Sequence, residues 1–416
     1  MMQRVRGTQD FLDLTLFNFI IDRARRHLQR YAFREIATPI LEPTELFKRS
    51  LGIFTDVVSK EMYTICAGEG DEQICLRPEA TAATMRAFFN NNVEERPWRV
   101  FSWGSMFRHE RPQKGRYRQF HQLNIEYIGA PSLFTDVECI ALIDSFLSQG
   151  LMLDNYALHL NFLGSLEDRE RYRGELRAFL DAQPVLPKAI VDRKETNLLR
   201  IFDLKDSDCQ ALLANAPTLI DSLSPESHAE WEQLQTLLAH VGVSFVINPR
   251  LVRGLDYYNK TVFEFVSMAL GAQNALGGGG RYDYLSQTLG ESDMVPSIGA
   301  ALGIERLLLL LESRRDTLPL PREKALVALL PVAEAQQPLV LVCAQFLRHH
   351  GVCCESFFDG GSVKSMMRRA NKHGARFAVI IGEEEQRENL VVVKDMVTGS
   401  EKKVRQEQLL DELNVT

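Results

Sequence analysis

Two runs rich in aromatic and β-branched residues, separated by a dense polar stretch, occupy residues 98–130 and restrict the fold more than any other part of the chain. The pattern predicts two strands joined by a long hairpin loop. Arg108 and Glu110 stand two apart, as do Gln122, Asn124 and Glu126. On strands that spacing puts side chains on one face. Five polar groups where alternation would bury apolar residues describe a site and not a core. From Arg108 to Arg118 five of eleven residues are Lys or Arg, with one acid, and Pro112 and Gly115 bend the segment. These bases alternate with Tyr117 and Phe120, which offer stacking faces beside cations, as single-stranded nucleic acid prefers.

Around this hairpin the chain reads as three parts. Leu16, Phe17, Ile20, Ile21, Ala24, Leu28 and Tyr31 recur at helical steps over 16–32, which predicts an amphipathic helix. Pro39 and Pro43 then flank a short extended run, suited to a sheet edge or an interface because proline cannot donate to a ladder. Near residue 165 the texture turns charged and helical, and Pro184, Pro187, Pro217 and Pro225 divide it. This predicts an all-helical insertion over about 166–243. Strand character returns with "VSFVINPRLVRGLDYYNKTVFEFVS". Gly277 to Gly280 predict a tight loop, and "SIGAALGIERLLLLLE" a strand turning into a helix. A linker stiffened by Pro319 and Pro321 follows. Beyond it strands and helices alternate, giving a small α/β domain over 324–416 after a larger domain over 1–323.

Charge is the reason for caution about nucleic acid. In 416 residues, 48 bases against 55 acids leave −7. That balance argues against coating nucleic acid through net charge, but a local patch still acts within a Debye length of about 10 Å. Seven cysteines without a C-x-x-C pair predict reduced thiols in a cytoplasmic protein. The opening residues lack the apolar stretch of a secretory signal. "LLLLL" at 307–311 is far short of the ~20 residues of a membrane span.

Three more segments carry chemistry. "LVRGLDYYNKTVFEF" (251–265) sets Arg253 and two tyrosines among apolar residues. "ALGGGGRYD" (275–283) lets backbone approach a ligand closely. In "GAALGIERLLLLL" Arg306 falls in the first helical turn, where a cation opposes the helix dipole unless an anion offsets it.

Together these segments resemble the histidyl-tRNA synthetase family of class II aminoacyl-tRNA synthetases, in the family's order and over essentially the whole chain. "RVRGTQDF" is similar to the opening signature, 16–47 to motif 1, 98–129 to motif 2 and 297–311 to motif 3. "RGLDYY" and "GGGRYD" are similar to signatures peculiar to the histidine enzymes. The resemblance implies an α+β fold: an antiparallel-sheet catalytic domain with a helical insertion, plus an α/β anticodon-binding domain. It implies that histidine attacks the α-phosphate of ATP, with Mg2+ accompanying the nucleotide, and that the histidyl group then passes to tRNA(His). By the same resemblance Arg108, Arg253 and Arg306 are catalytic. Arg108, Glu110 and Arg306 bind ATP. Glu79, Ala80, Thr81, Gln122, Glu126, Arg253, Tyr257, Tyr258 and Tyr282 bind histidine. Gln113, Lys114, Arg116 and Arg118 meet the acceptor end, and Lys364, Arg368 and Lys372 the anticodon region. No resident metal is implied, and motif 1 implies a homodimer.

Chemistry supports the histidine assignment. Neutral imidazole has one donor and one acceptor, so a pocket must supply one of each; the resemblance implies Glu126 as acceptor and the Tyr258 hydroxyl as donor. Two positions depart from the family pattern. Ala80 stands where glycine is usual, which matters only if the backbone needs a positive φ. Tyr284 stands where a glycine often follows "GGGRYD". A regulatory paralogue of the family would typically lack the C-terminal domain and the catalytic arginines, and this chain keeps both.

Overall fold

A computed structural model describes residues 2–53, 55–65, 73–194, 198–204, 206–253, 255–321 and 325–413. Cys66, Gly254 and the junction expected at 323/324 lie outside them. The chain divides into two units, Met1–Leu320 and Pro321–Thr416.

In the first unit α1 (Thr15–Gln29) leads to β1 (Arg34–Glu35), β2 (Leu41–Pro43) and α2 (Thr44–Leu51). Next come β3 (Tyr63–Ile65), β4 (Ile74–Leu76) and α3 (Thr81–Asn90), then the hairpin of β5 (Trp98–Phe107) and β6 (Gln119–Ile128). α4 (Leu133–Ser145) and β7 (Ala157–Phe162) precede the helical stretch of α5 (Leu166–Asp181), α6 (Lys188–Lys194), α7 (Ser207–Leu213) and α8 (Pro225–His240). β8 (Val246–Ile247), β9 (Asn259–Val266), β10 (Ala275–Arg281), α9 (Leu285–Leu289), β11 (Ser297–Gly303) and α10 (Ile304–Glu312) complete the unit.

Among the described residues eight strands form one sheet, ordered β1-β5-β6-β11-β10-β9-β7-β8. The interior pairings are antiparallel, and only the edge pairs β1–β5 and β7–β8 run parallel. β2, with Pro43, is an edge of a separate small sheet ordered β2-β4-β3. One face of the large sheet presents Leu123, Ile125 and Tyr127 to a core shared with α1, α4, α8 and α10. Each such buried apolar side chain contributes about 1.5–3 kcal/mol. The opposite face of β6 carries Gln122, Asn124 and Glu126.

Local sequence explains the helix starts. Ser132 caps α4, and Ser165 and Asp168 form a capping box at α5. Ser224 caps α8, with Pro225 at its first position. The helical stretch is not an appendage held apart from the sheet: Trp231, Leu234 and Leu238 of α8 join the core under it.

Three expectations need correction. Gly277–Gly280 form no loop. They lie in β10, hydrogen-bonded between β9 and β11 near the sheet centre. A Cβ at Gly280 would stand 2.5 Å from the Thr261 carbonyl oxygen, and one at Gly279 2.8 Å from Ala300 Cα. The glycines therefore answer crowding, not flexibility. Second, residues 248–253 and 255–258 are not strand. Asn248 N donates to Leu160 O at 2.9 Å, and the Asn161 amide reaches the Pro249 and Leu251 carbonyls at 3.3 and 2.9 Å, stitching the segment into a loop. Third, β5 ends at Phe107. Arg108 N still meets Arg118 O at 2.9 Å, but Glu110 N turns back to Arg108 O at 2.7 Å, so Arg108 and Glu110 share no strand face.

The second unit contains β12 (Leu326–Pro331), α11 (Gln337–His349), β13 (Cys354–Ser356), α12 (Val363–Lys372), β14 (Ala375–Ile381), α13 (Glu383–Glu388), β15 (Leu390–Asp395), β16 (Glu401–Arg405) and α14 (Leu409–Leu413). Its sheet runs β13-β12-β14-β15-β16, parallel over the first three strands and antiparallel over the rest. β12 is apolar throughout because both its faces are covered. Val327 and Leu329 meet α11, while Ala328 and Leu330 meet α12. The described cysteines are all free. Among the described residues no helix is long and apolar enough to cross a membrane.

Candidate active site

On the face of the large sheet opposite α1 and α4 lies a cavity of about 300 Å³. Arginines from three separate segments line one part of it. Arg108, just past β5, is held by its Nε on Pro78 O at 2.9 Å, with Phe120 beneath the guanidinium at 5.3 Å. Arg253 ends the non-strand segment 248–253 and reaches Glu264 of β9 at 2.5 Å, while its Nε is buried without a partner. Arg306, in the first turn of α10, donates to Gly115 O at 3.2 Å and Ala275 O at 2.5 Å.

These cations stand close enough to feel one another. Burial first, then Arg116, Arg108 and Arg253, push the Arg306 guanidinium below its ordinary range. Burial does the same to Arg108, against the pull of Glu61 and Glu79. At Arg253 burial, the largest effect, acts downward too, but Glu264, Tyr258 and Tyr257 together outweigh it and the net shift is upward. All three stay protonated, since arginine starts above about 12. A buried cluster of like charge is electrostatically costly alone and is relieved by an anion.

Another part of the cavity is a carboxyl pocket. Glu126 of β6 is buried and accepts from Thr81 Oγ1 at 2.7 Å and Tyr282 Oη at 2.5 Å. Burial lifts its pKa to about 8, against the lowering effect of those two hydroxyls. Gly299 makes the room: a Cβ there would stand 2.7 Å from Glu126 Cδ. Tyr257 packs on Tyr258 and Tyr282, with ring centroids 4.6 and 5.6 Å apart. Burial raises all three phenols. Arg169 of α5 props this wall from behind, donating to Tyr258 O at 2.9 Å.

Glu79 is the cap of α3: its carboxylate takes Thr81 N at 2.7 Å and Ala82 N at 2.9 Å. Thr81 is thereby released to point at Glu126. Ala80 has φ −111°, so no glycine is needed there. Tyr284 sits at the start of α9 with φ −93°. Gln122 Oε1 is buried without a partner.

The structure thus brings Glu79, Thr81, Arg108, Glu110, Gln122, Arg253, Tyr257, Tyr258 and Arg306 to one cavity wall, with Ala80, Glu126 and Tyr282 buried behind it. Arg116 turns inward with them and is ion-paired with Glu110. Gln113, Lys114 and Arg118 lie outside this cavity, against residues 3–10 and Arg111. In the second unit Lys364, Arg368 and Lys372 are exposed along α12. Arg369 instead stacks over Phe357 at 4.9 Å and meets Asp359 at 3.3 Å.

Sequence reasoning missed two groups. Glu264 was visible as the lone acid in an apolar strand, "TVFEFV". Glu305 takes His121 N at 2.9 Å and His121 Nδ1 at 2.8 Å, clamping the start of α10 to β6. No local pattern signals that contact, because 184 residues separate the partners.

Comparison with known proteins adds sequence and fold. A family model described as histidyl-tRNA synthetase matches residues 18–307, and one described as anticodon binding domain matches 326–416. The histidine–tRNA ligase of Thermosynechococcus vestitus is 42% identical, covering 99% of this chain and 96% of its own. That of Solidesulfovibrio magneticus is 40% identical, over 98% and 96%. The apo histidyl-tRNA synthetase of S. aureus superposes with a TM-score of 0.80 at 30% identity, over 99% of both chains.

Proposed function

The chain belongs to the histidyl-tRNA synthetase family and attaches histidine to tRNA with ATP, and on that premise we propose how its residues divide the work. In the first step a carboxylate oxygen of histidine bonds to the α-phosphorus of ATP, and pyrophosphate leaves with the electron pair of the broken P–O bond. Negative charge builds on the α-phosphoryl oxygens, and preorganised donors stabilise it without reorganising. Arg108 and Arg253 supply them, with Arg253 also steering the carboxylate. Arg306 holds the γ-phosphate and the face of the adenine, and Glu110 takes the adenine amino group. Catalysis is then positioning plus electrostatics. The convergence of Arg108, Arg253 and Arg306 on a cavity whose wall includes Thr81, itself bonded to the buried Glu126 behind it, is the observation that carries this reading.

Glu126 accepts the imidazole N–H, the Tyr258 hydroxyl donates to the other ring nitrogen, and Glu79, Thr81 and Gln122 receive the α-ammonium. Ala80, Tyr257 and Tyr282 shape the walls. A pocket built this way rejects analogues because its own polar groups would be left unpaired. In the second step a hydroxyl of the terminal ribose attacks the histidyl carbonyl carbon and AMP departs. Mg2+ would travel on the ATP phosphates and share the charge with the arginines. Of the carboxylates lining the cavity, Glu110 and Glu264 already pair with arginines.

For tRNA, Gln113, Lys114, Arg116 and Arg118 serve the acceptor end. Lys364, Arg368 and Lys372 serve the anticodon region, in a cytoplasmic homodimer. The test is ATP–pyrophosphate exchange by purified protein. Exchange that requires histidine is expected; folded protein that exchanges equally without it would overturn the reading.

A further inference from the structure

Where the N-terminal segment meets the hairpin loop, the structure gathers cations that the catalytic pocket does not use. Arg118 N donates to Gly7 O at 2.7 Å. Gly7 has φ +88°, and a Cβ there would stand 2.9 Å from both Arg118 Cγ and Pro112 Cγ. Only glycine lets the segment lie flush on the loop. Thr8 closes the turn, giving its N and Oγ1 to Val5 O at 3.1 and 2.8 Å.

The result is an open cleft of about 920 Å³ between residues 3–10 and the tip of the hairpin loop. A notch lined by Arg6, Arg111 and Arg118 adjoins it. Arg4, Arg6, Arg111 and Lys114 are exposed. The acids nearby do not balance them: Glu110 is engaged by Arg116, and Asp10 meets Arg4 only through an exposed pair at 3.4 Å. Such a pair is weak in water and yields to a stronger anion. The cleft lies between two chain segments and does not close around a point, which suits a run of phosphates better than one small anion.

We propose that residues 4–7 are the second wall of an RNA site, in which Arg4 and Arg6 hold backbone phosphates at the end of an RNA duplex while the hairpin loop reaches beyond them. This rests on the reading of the chain as one that charges tRNA. The two arginines position the duplex and carry no base specificity.

The test titrates the full chain with a histidine-accepting tRNA transcript across a range of KCl concentrations. Arg6→Gln and Arg4→Gln are each expected to weaken binding about three- to tenfold at low salt and to reduce the log–log salt slope by about 0.7–1, with Arg6→Lys keeping the slope. Histidine-dependent pyrophosphate exchange should stay at the level of the unaltered protein. Unchanged affinity and slope in both glutamine variants would overturn the proposal. So would exchange that falls in parallel with tRNA binding, the signature of a segment that only braces the pocket. Failure of the parent protein to exchange would sink the activity reading alone, because the tRNA titration decides this one independently.

Discussion

Replacing Glu126 by glutamine tests the imidazole pocket most directly. In the empty pocket burial holds the Glu126 pKa at about 8, so at pH 7 ionising it costs about 1.4 kcal/mol. Histidine's imidazole is neutral above about pH 6.5. If the carboxylate accepts the N–H of that neutral ring, binding releases one proton between those two values. The ionised fraction rises from about a tenth at pH 7 to about three-quarters at pH 8.5. The kcat/KM for histidine in pyrophosphate exchange, which reports the free enzyme, should therefore climb about eightfold over that interval and then level. Glu126→Gln should flatten this step and lower kcat/KM at pH 8.5 by about 10- to 100-fold, the loss of a charge-assisted hydrogen bond. Stability moves in a related way. A carboxyl with a raised folded pKa contributes stability fully present below the unfolded value of about 4.5, and that stability is lost as pH rises toward about 8. Thermal unfolding should show the parent protein losing more stability than Glu126→Gln across that window, by a few kcal/mol at most. A flat wild-type kcat/KM profile, or a step that survives in Glu126→Gln, would refute the carboxylate–imidazole assignment.

Arg253→Ala should retain ATP binding but slow adenylate formation at least about 100-fold in single-turnover experiments; near-normal rates would remove Arg253 from the chemistry. Gly279→Ala should lower the urea midpoint by an amount worth about 1–3 kcal/mol, because its Cβ meets β11 backbone; an unchanged midpoint would contradict its place inside the sheet. Light scattering at micromolar concentration should give the mass of a dimer, and a monomer mass would contradict the homodimer.

The parts of this molecule written in short-range pattern were legible. Helical spacing announced α1, and polar alternation announced the site face of β6. Arg108, Arg253 and Arg306, which line one cavity, were legible because each sits in a distinctive local string. What the string did not carry was proximity between distant segments. Four consecutive glycines read as a loop, since flexibility is glycine's common use, and only the neighbouring strands reveal that here it relieves crowding. Nor does the string show that Glu79 also accepts two backbone N–H bonds at the α3 N-terminus. Arg281 gave no hint of its buried ion pair with Asp136, which ties the exit of β10 to α4.

The glycines of β10 also limit what this scaffold can become. Gly278 lines the cavity and Gly280 lies two residues further along β10; a Cβ would stand 3.0 Å from Arg253 Nη1 at the first and 2.9 Å from Tyr258 Cδ1 at the second. The floor of the site is therefore bare peptide, one methyl layer thinner than an ordinary sheet. No new side chain can be planted there without lifting the wall above it. Altered substrate choice on this framework has to be composed in the surrounding segments 77–81 and 108–118, whose residues are not among those a Cβ at Gly278 or Gly280 would meet. The strand with the least chemical variety is the one that leaves evolution, or an engineer, the fewest options.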